Sequence, residues 1–492
     1  MDKTDEWTVS SETPFLDRRG DSEGPCQMDQ FEIESGQDPG EIVISPLTTS
    51  YKEEILYVLK SSMPVLLTFI LQFCLQSLIP MYYAGVQGKD VFAACSLSIA
   101  LFYISGPVIV NGFSTALDTL CATAYGAGSY SKVGVYYQRC TTILLFMFVP
   151  ISLFWLFPGP FVNSVSEDPQ IVEMCSSFLS QMVMVAPPLV IFECTKRYLQ
   201  AQAKFIVATT VMALALPLSV ILCHFFTEKY GYLGPAYSLI STYWIIALFI
   251  VFYLYRFDDH QCWNYHITAK VIFQGWGQFA ALGFPGIMMV FAESFAHRII
   301  TFLSAKFGTV ELASQTIVTT VSAFSWQIPF AMGICSSVRL AYYIGARSEN
   351  YKIVLKVAFG TSCIISVLNS LFTVCSRNWL PLIFTRDQEL IDYSSKLFLI
   401  VSFNQIGDAI NAIFSALLRG QGKQRAGSLM NFIAYYVVAV PLEVLLGFYF
   451  NLGVTGLWIG MLIGVFVLSS MEVYLVASTD WHDVMVRSSA FI

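Results

Sequence analysis

The sequence predicts an all-α membrane protein of twelve transmembrane helices in two six-helix lobes related by an internal repeat, and three observations predict it. Charge is scarce: of 492 residues 12% are charged and 55% hydrophobic, whereas a soluble chain carries roughly 25% charged residues. Such a deficit is expected where most of the surface meets lipid, in which charge is costly. Apolar runs of roughly 18 to 25 residues, the length that spans a bilayer as helix, recur twelve times. The two halves of the chain also match one another at a near-constant offset.

The runs fall into two sets of six. The first comprises Ile55 to Tyr83, Val91 to Phe113, Cys140 to Phe157, Met174 to Phe192, Phe205 to Phe225 and Ala236 to Tyr255. A polar stretch follows, and the second set is Ala280 to Phe302, Leu312 to Ile334, Val354 to Val374, Leu397 to Leu417, Ala426 to Phe450 and Val454 to Val476. Pro64, Pro107, Pro285 and Pro329 lie inside these runs, a placement that helices in lipid tolerate. This gives an N-lobe over 54–256, a linker over 257–275, a C-lobe over 276–478 and tails over 1–53 and 479–492. With the N-terminus inside, the inner loops hold fourteen Lys/Arg and the outer loops six, so both termini are expected on the cytoplasmic side.

The repeat runs through loops and spans alike. Pro64 pairs with Pro285, Asp90 with Glu311 and Gly112 with Gly333 at an offset of 221. Gly126 pairs with Gly345, Asp168 with Asp387, Gln202 with Gln421 and Lys204 with Lys423 at 219. An even number of spans per half brings both halves in from the same side. They are then related by an axis along the membrane normal, the plan of parallel-repeat transporters rather than of an oligomeric pore.

The first fifty residues carry twelve Asp/Glu against three Lys/Arg and lack a continuous apolar core. They read as a disordered, acidic cytoplasmic tail, not as a signal peptide, which needs a basic start and an apolar segment. The twelve cysteines form no CxxC pair and sit mostly in apolar runs, as do Cys74, Cys95, Cys223 and Cys363. They read as small packing residues rather than metal ligands or a disulfide framework.

The block ALDTLCATAYGAGSYSKVGVYYQRC (Ala116 to Cys140) resembles the multidrug and toxic compound extrusion (MATE) family. TKRYLQAQ (Thr195 to Gln202) is similar to that family's motif after the fourth span, and IPFAMGICSSVRLAYYIGAR (Ile328 to Arg347) to its eighth-span block. The stretch from Asp408 through LLRGQGKQRAG to GVTGLWIG (Gly453 to Gly460) resembles it most closely. The likeness covers Lys52 to Val476 and favours eukaryotic members. It implies two six-helix lobes, a V-shaped central cavity, and export of organic cations or metabolites driven by inward H⁺ or Na⁺. Two positions depart from the pattern. The first-span aspartate of many bacterial members falls at Pro80, which removes that N-lobe ion site, and Arg298 stands where eukaryotic relatives carry a second acid.

Within the spans, Glu293 is the foremost candidate. A carboxylate at mid-span is expensive unless it faces a cavity or a partner, and desolvation favours the neutral form of an acid, the property a proton-cycling group needs. It also matches the family's seventh-span glutamate; the bland alternative is a permanently neutral, hydrogen-bonded acid. His297 lies four residues on, on the same face, where it would share a proton with Glu293 or satisfy a polar neighbour. Asn404, Asp408 and Asn411 share one face of the tenth span, at a place where the family has an acid. Asn431, Tyr435 and Tyr436 would extend that polar surface on the eleventh span, unless the tyrosines only fill the core. In the N-lobe, Gln72 is the repeat counterpart of Glu293 and forms an i, i+4 pair with Gln76, and Asn111 is a further lining candidate. Neither glutamine titrates, so proton coupling is expected in the C-lobe. Arg298 would oppose a cationic substrate, pair with Glu293 or Asp408, or attract an anion. Glu443 and Glu472 read as nearer the membrane edges. Asp118, Arg197, Arg339 and Arg419 read as closing the inner face rather than touching cargo.

These residues point to a proton-coupled antiporter for small molecules. The alternatives are a flippase for lipid-like, amphipathic cargo or a sodium-coupled exporter. There is no HExxH constellation for a membrane-embedded enzyme and no Walker A motif for ATP drive. No cofactor is expected beyond the coupling ion, a proton or sodium, and no nucleic-acid partner. The protein is expected as a monomer in the lipid bilayer of the plasma membrane or of a vacuolar or other endomembrane.

Overall fold

The computed structural model describes residues 49–163, 168–258, 261–263 and 269–489, all within the compact unit Glu41–Ile492. The acidic stretch over 1–48 lies outside the described residues. Twelve long helices and one short C-terminal helix carry the fold: α1 (Tyr51–Gln87), α2 (Lys89–Gly126), α3 (Tyr130–Leu156), α4 (Pro169–Ala201), α5 (Ile206–Tyr230), α6 (Gly234–Phe257), α7 (Trp276–Ser304), α8 (Thr309–Gly345), α9 (Tyr351–Ser376), α10 (Gln388–Gly420), α11 (Gln424–Tyr449), α12 (Gly453–Ala477) and α13 (Trp481–Ser488). Each predicted span falls on one of α1 to α12. Taken as unbroken apolar helices there are eleven, because α5 and α6 run together through a 3-10 turn at Gly231–Leu233. They are nonetheless two antiparallel spans. Gly231 turns the chain at φ +58°, and Ser238 Oγ reaches back to donate to the Ser219 carbonyl at 3.1 Å.

Local chemistry fixes the helix ends. Ser50 and Glu53 form a reciprocal capping box at the start of α1, which satisfies two otherwise orphaned backbone N–H groups. The helix therefore begins at Tyr51, and the predicted boundary of the tail at residue 53 moves to residue 50. Asp168 and Asp387, a repeat pair, both cap their helices, accepting from the N–H of Gln170 and Glu389 at 2.9 Å. Pro107 sits at the first turn after the break at Gly106, so α2 restarts there instead of losing an internal hydrogen bond. Two helices carry π-helical turns, α1 at Cys74–Leu78 and α11 at Ile433–Ala439 and Leu445–Tyr449.

Two hydrophobic cores result, one per half, with a reciprocal exchange at the face where α1 begins and α12 ends (the terminus face). Val58 of α1 packs into the second core, while Phe279, Leu282 and Ile287 of α7 pack into the first. On this face α2 crosses α8 at a paired contact. A Cβ on Gly126 would meet the backbone of Tyr342, and one on Gly345 the backbone of Thr123. These two contacts exchange under the 219-residue offset, so they mark the pseudo-two-fold axis. Packing between halves is carried by α1 with α8 and α9, and by the segment Pro107–Gly126 of α2 with α7, α8 and α10. The α1 segment Ile79–Gln87 and the α2 segment Lys89–Ser105 pack against their own half. The halves are thus closed together at the terminus face and part towards the opposite one.

Among the described residues there is no disulfide and no cluster of metal-ligating side chains. Ten of their eleven cysteines are buried or half-buried, consistent with packing.

Candidate functional site

Where the halves part, a cavity of about 310 Å³ lies between α1, α2, α4, α7, α8, α10 and α12. Six of the residues singled out in the sequence line it: Gln72, Gln76 and Asn111 from the first half, Glu293, His297 and Asp408 from the second. Phe69, Phe73, Trp326 and Phe330 supply apolar walls. Phe69 packs on Phe330 at 5.2 Å between ring centroids, and Phe73 on Phe324 at the same distance, so α1 and α8 stay joined along one side.

The first-half wall is held by hydrogen bonds behind it. Gln72 Nε2 donates to Glu193 Oε1 at 2.9 Å, and Gln76 donates to the Tyr243 hydroxyl. Glu193 in turn pairs with Lys196 at 2.6 Å, both fully buried, with the ammonium 5.1 Å from the Phe69 ring centre. Isolated, either charge would be very costly in this setting; together they are tolerated. Sequence reading passed over Glu193, which stands directly behind Gln72. The signal was present in FECTKRY, an acid three residues before a lysine inside an apolar run.

The second-half wall carries the carboxyl groups. Glu293 and His297 share a face of α7, without a hydrogen bond between them. Asp408 is buried, accepts from Asn404 Nδ2 at 2.5 Å through one oxygen and has no partner for the other. Asn404, Asn411, Asn431, Tyr435 and Tyr436 are not among the lining residues, which corrects the polar surface expected along the eleventh span. The Asn431 amide donates to the Gly427 carbonyl of its own helix at 2.9 Å, and the Tyr436 hydroxyl to the Ala292 carbonyl at 3.2 Å. Tyr435 is wholly buried with its hydroxyl unpaired. The π-helical turn at Ile433–Ala439 carries both tyrosines and changes the facing that α-helical spacing assumes. Glu443 and Glu472, expected near the membrane edges, are wholly buried with both carboxyl oxygens unpaired. Arg298 makes no ion pair with Glu293 or Asp408 and does not line the cavity.

Two arginines complete the site. Arg197 and Arg419, read from sequence as remote from cargo, line the cavity at its terminus-face end. Arg197 binds Asp118 at 2.5 Å and the Ser114 hydroxyl at 2.7 Å. Below them Thr119 Oγ1 donates across the halves to the Arg419 carbonyl at 2.5 Å and accepts from Gln424 Nε2 at 2.9 Å. Arg339 lies at the terminus face, where its guanidinium grips both oxygens of Glu54 at 2.8 to 3.1 Å, Tyr343 adds a bond of 2.7 Å, and the Tyr57 ring centre lies 4.5 Å away. Glu54 is 1% exposed, so removing its partner strands a buried charge, a loss of about 3 kcal/mol or more. Arg339→Met should accordingly lower the thermal midpoint in detergent, and the double variant with Glu54→Gln should recover part of it. An unchanged midpoint, or no recovery in the double variant, would contradict a clamp.

The MatE family model matches residues 64–225 and 285–445. This chain belongs to the MatE family. Its two matched segments start 221 residues apart, the offset at which Pro64 pairs with Pro285. An uncharacterized transporter of Saccharomyces cerevisiae is 32% identical over 444 residues, 89% of this chain and 63% of that protein, so the chain spans less than two thirds of that relative. The zebrafish (Danio rerio) multidrug and toxin extrusion protein 1 is 27% identical over 89% of this chain and 74% of its own length. The crystal structure of the eukaryotic MATE transporter AtDTX14 superposes with a TM-score of 0.82 at 23% identity, over 90% of this chain and 99% of that one. The protein is thus a multi-pass integral membrane protein with the two-lobe, twelve-helix MATE architecture. It is a MATE transporter, not an enzyme.

Proposed function

We propose that this MATE protein is a secondary active antiporter that exports small organic solutes in exchange for protons, by alternating access of its two lobes. The observation that carries this reading is the cavity itself, lined on its second-half wall by Glu293, His297 and Asp408. A carboxyl group in such a place can hold a proton or a cationic solute in turn, but not both at full strength. The drive suffices: each pH unit supplies about 1.4 kcal/mol per proton, and 100 mV adds about 2.3 kcal/mol per charge moved. One proton therefore sustains a gradient of roughly ten- to several-hundred-fold. In the described arrangement the lobes meet at the terminus face, which we place on the cytoplasmic side, so the cavity faces outward. Export requires the opposite arrangement to load cargo. The protein works as a monomer, without cofactor, in the plasma membrane or an endomembrane, and its partners are the small-molecule cargo and the bilayer.

Reconstituted protein tested by counterflow with a solute panel, at imposed and at collapsed ΔpH, is the direct test. Uptake that follows ΔpH and is indifferent to sodium is expected. Uptake that follows a sodium gradient at constant pH would replace the proton by sodium at the same residues.

A further inference from the structure

The charges at the terminus-face end of the cavity are not all paired. Two guanidinium groups line it, Arg197 and Arg419; the carboxylate of Asp118 pairs with the first, while Asp118, Glu293 and Glu472 act on the second only from beyond ion-pair distance. Glu193 and Lys196 neutralise each other behind the wall. Arg197 is fully engaged, since it also donates to Ser114 Oγ and, at 3.3 Å, to the Asn111 carbonyl. Arg419 is only 6% exposed, yet among the described residues it has no carboxylate at ion-pair distance. Its guanidinium has one hydrogen bond, to Ser415 Oγ at 3.2 Å, and the Phe330 ring centre 6.0 Å away. The repeat sets Arg419 apart. At the offset that pairs Gln202 with Gln421, the counterpart of Arg419 is the neutral Gln200.

A buried guanidinium with unused donors is costly unless an anion meets it, and its planar fork matches a carboxylate. Resting on the antiport reading above, we propose that Arg419 docks a carboxylate of the cargo, which is therefore amphoteric, its cationic end meeting Glu293 and Asp408. Asp408 and Arg419 stand eleven residues apart on α10, three turns along the same side, about 16 Å along the axis before the side chains reach inward. The sign of coupling selects an amphoteric solute over a simple anion. Protonating Glu293 and Asp408 makes the cavity more positive, so a simple anion would bind better with the proton and travel with it. An amphoteric solute loses its cationic anchor on protonation, as exchange requires, while Arg419 orients it in either state.

The test uses matched probes that differ only in the carboxylate: a rhodamine free acid against its methyl ester, and 8-aminooctanoic acid, whose charges lie at opposite ends of a chain, against its methyl ester as competitors. Binding to the purified full chain is read by fluorescence anisotropy at mildly alkaline pH, without any gradient. The wild type should bind the rhodamine acid roughly tenfold or more tightly than the ester, about 1.4 kcal/mol, and 8-aminooctanoic acid should compete better than its ester. Arg419→Gln should erase both preferences and Arg419→Lys keep part of them. Ser415→Asp, which supplies Arg419 with a counter-charge from within, should erase them as well, and it serves where the glutamine variant fails to fold. Equal or inverted preference in the wild type, no binding of the acid, or a preference intact in Arg419→Gln would each overturn the proposal. Because no gradient enters, a failure here leaves proton-driven exchange standing. Loss of ΔpH dependence with the preference intact would strike only the coupling.

Discussion

Replacing Glu293 by glutamine is expected to abolish ΔpH-driven uptake into inverted vesicles while leaving expression and folding largely intact. The substitution keeps shape and hydrogen-bonding capacity but removes the proton site. Glu293 makes no ion pair among the described residues, so its neutralisation strands no partner. Asp408→Asn should impair transport less completely or shift its pH optimum. Asp408 and Glu293 line the same wall of the cavity, and acids that interact titrate as a set rather than singly. Gln72→Glu should not rescue Glu293→Gln, because Gln72 donates to Glu193 and the new carboxylate would face that acid at hydrogen-bonding distance. ΔpH-driven uptake by Glu293→Gln at near wild-type rate would remove this residue from the coupling.

Gly345→Val is expected to be almost as damaging, for a steric reason. Any Cβ there meets the Thr123 backbone of the other half, and backbone cannot move aside as a side-chain tip can. The terminus face should then fail to close, and transport should fall at least roughly tenfold. Cys335 of α8 is wholly buried and packs into the first core, across the seam between the halves. In a background where the other cysteines are replaced, it should resist a maleimide in the parent and react in Gly345→Val. Gly126→Val should behave alike, since the two contacts are counterparts. Normal transport with Cys335 protected would show that the crossing opens in the working cycle without needing this fit.

The repeat was the most legible feature of the sequence because duplicated chemistry leaves duplicated residues. Asp168 and Asp387 cap equivalent helices, and Gly126 and Gly345 meet across the axis. The lining residues Gln72, Glu293 and Asp408 were legible for another reason: polar groups inside apolar runs are expensive, so they tend to face a cavity or one another. Arg197 and Arg419 were misjudged because the helices overrun their apolar cores. The tenth run reads as Leu397 to Leu417, whereas α10 continues to Gly420, which carries Arg419 into the protein instead of a loop. Glu472 lies within its predicted run, Val454 to Val476, yet is wholly buried, because sequence position does not reveal which face of α12 packs inward. Two of the three π-helical turns left no trace. Neither Cys74–Leu78 nor Ile433–Ala439 contains a glycine or proline, whereas Leu445–Tyr449 holds Gly447; a wider turn arises from tertiary packing more than from local propensity.

The π-helical turn of α1, Cys74–Leu78, begins two residues after Gln72, which Glu193 holds, and contains Gln76, which Tyr243 holds. Such a turn stores one surplus residue relative to an α-helix, and the surplus can pass along the chain like a ruck in a carpet. Each step exchanges an i→i+5 bond for an i→i+4 bond, so the helix never opens more than locally. Moving the ruck past Gln76 would turn that side chain by about 100° around the axis, the angle of one α-helical residue. It would part from Tyr243 and leave the cavity wall while Gln72 stayed in place. The first helix therefore has a means of changing what its wall presents to a solute without tilting as a rod.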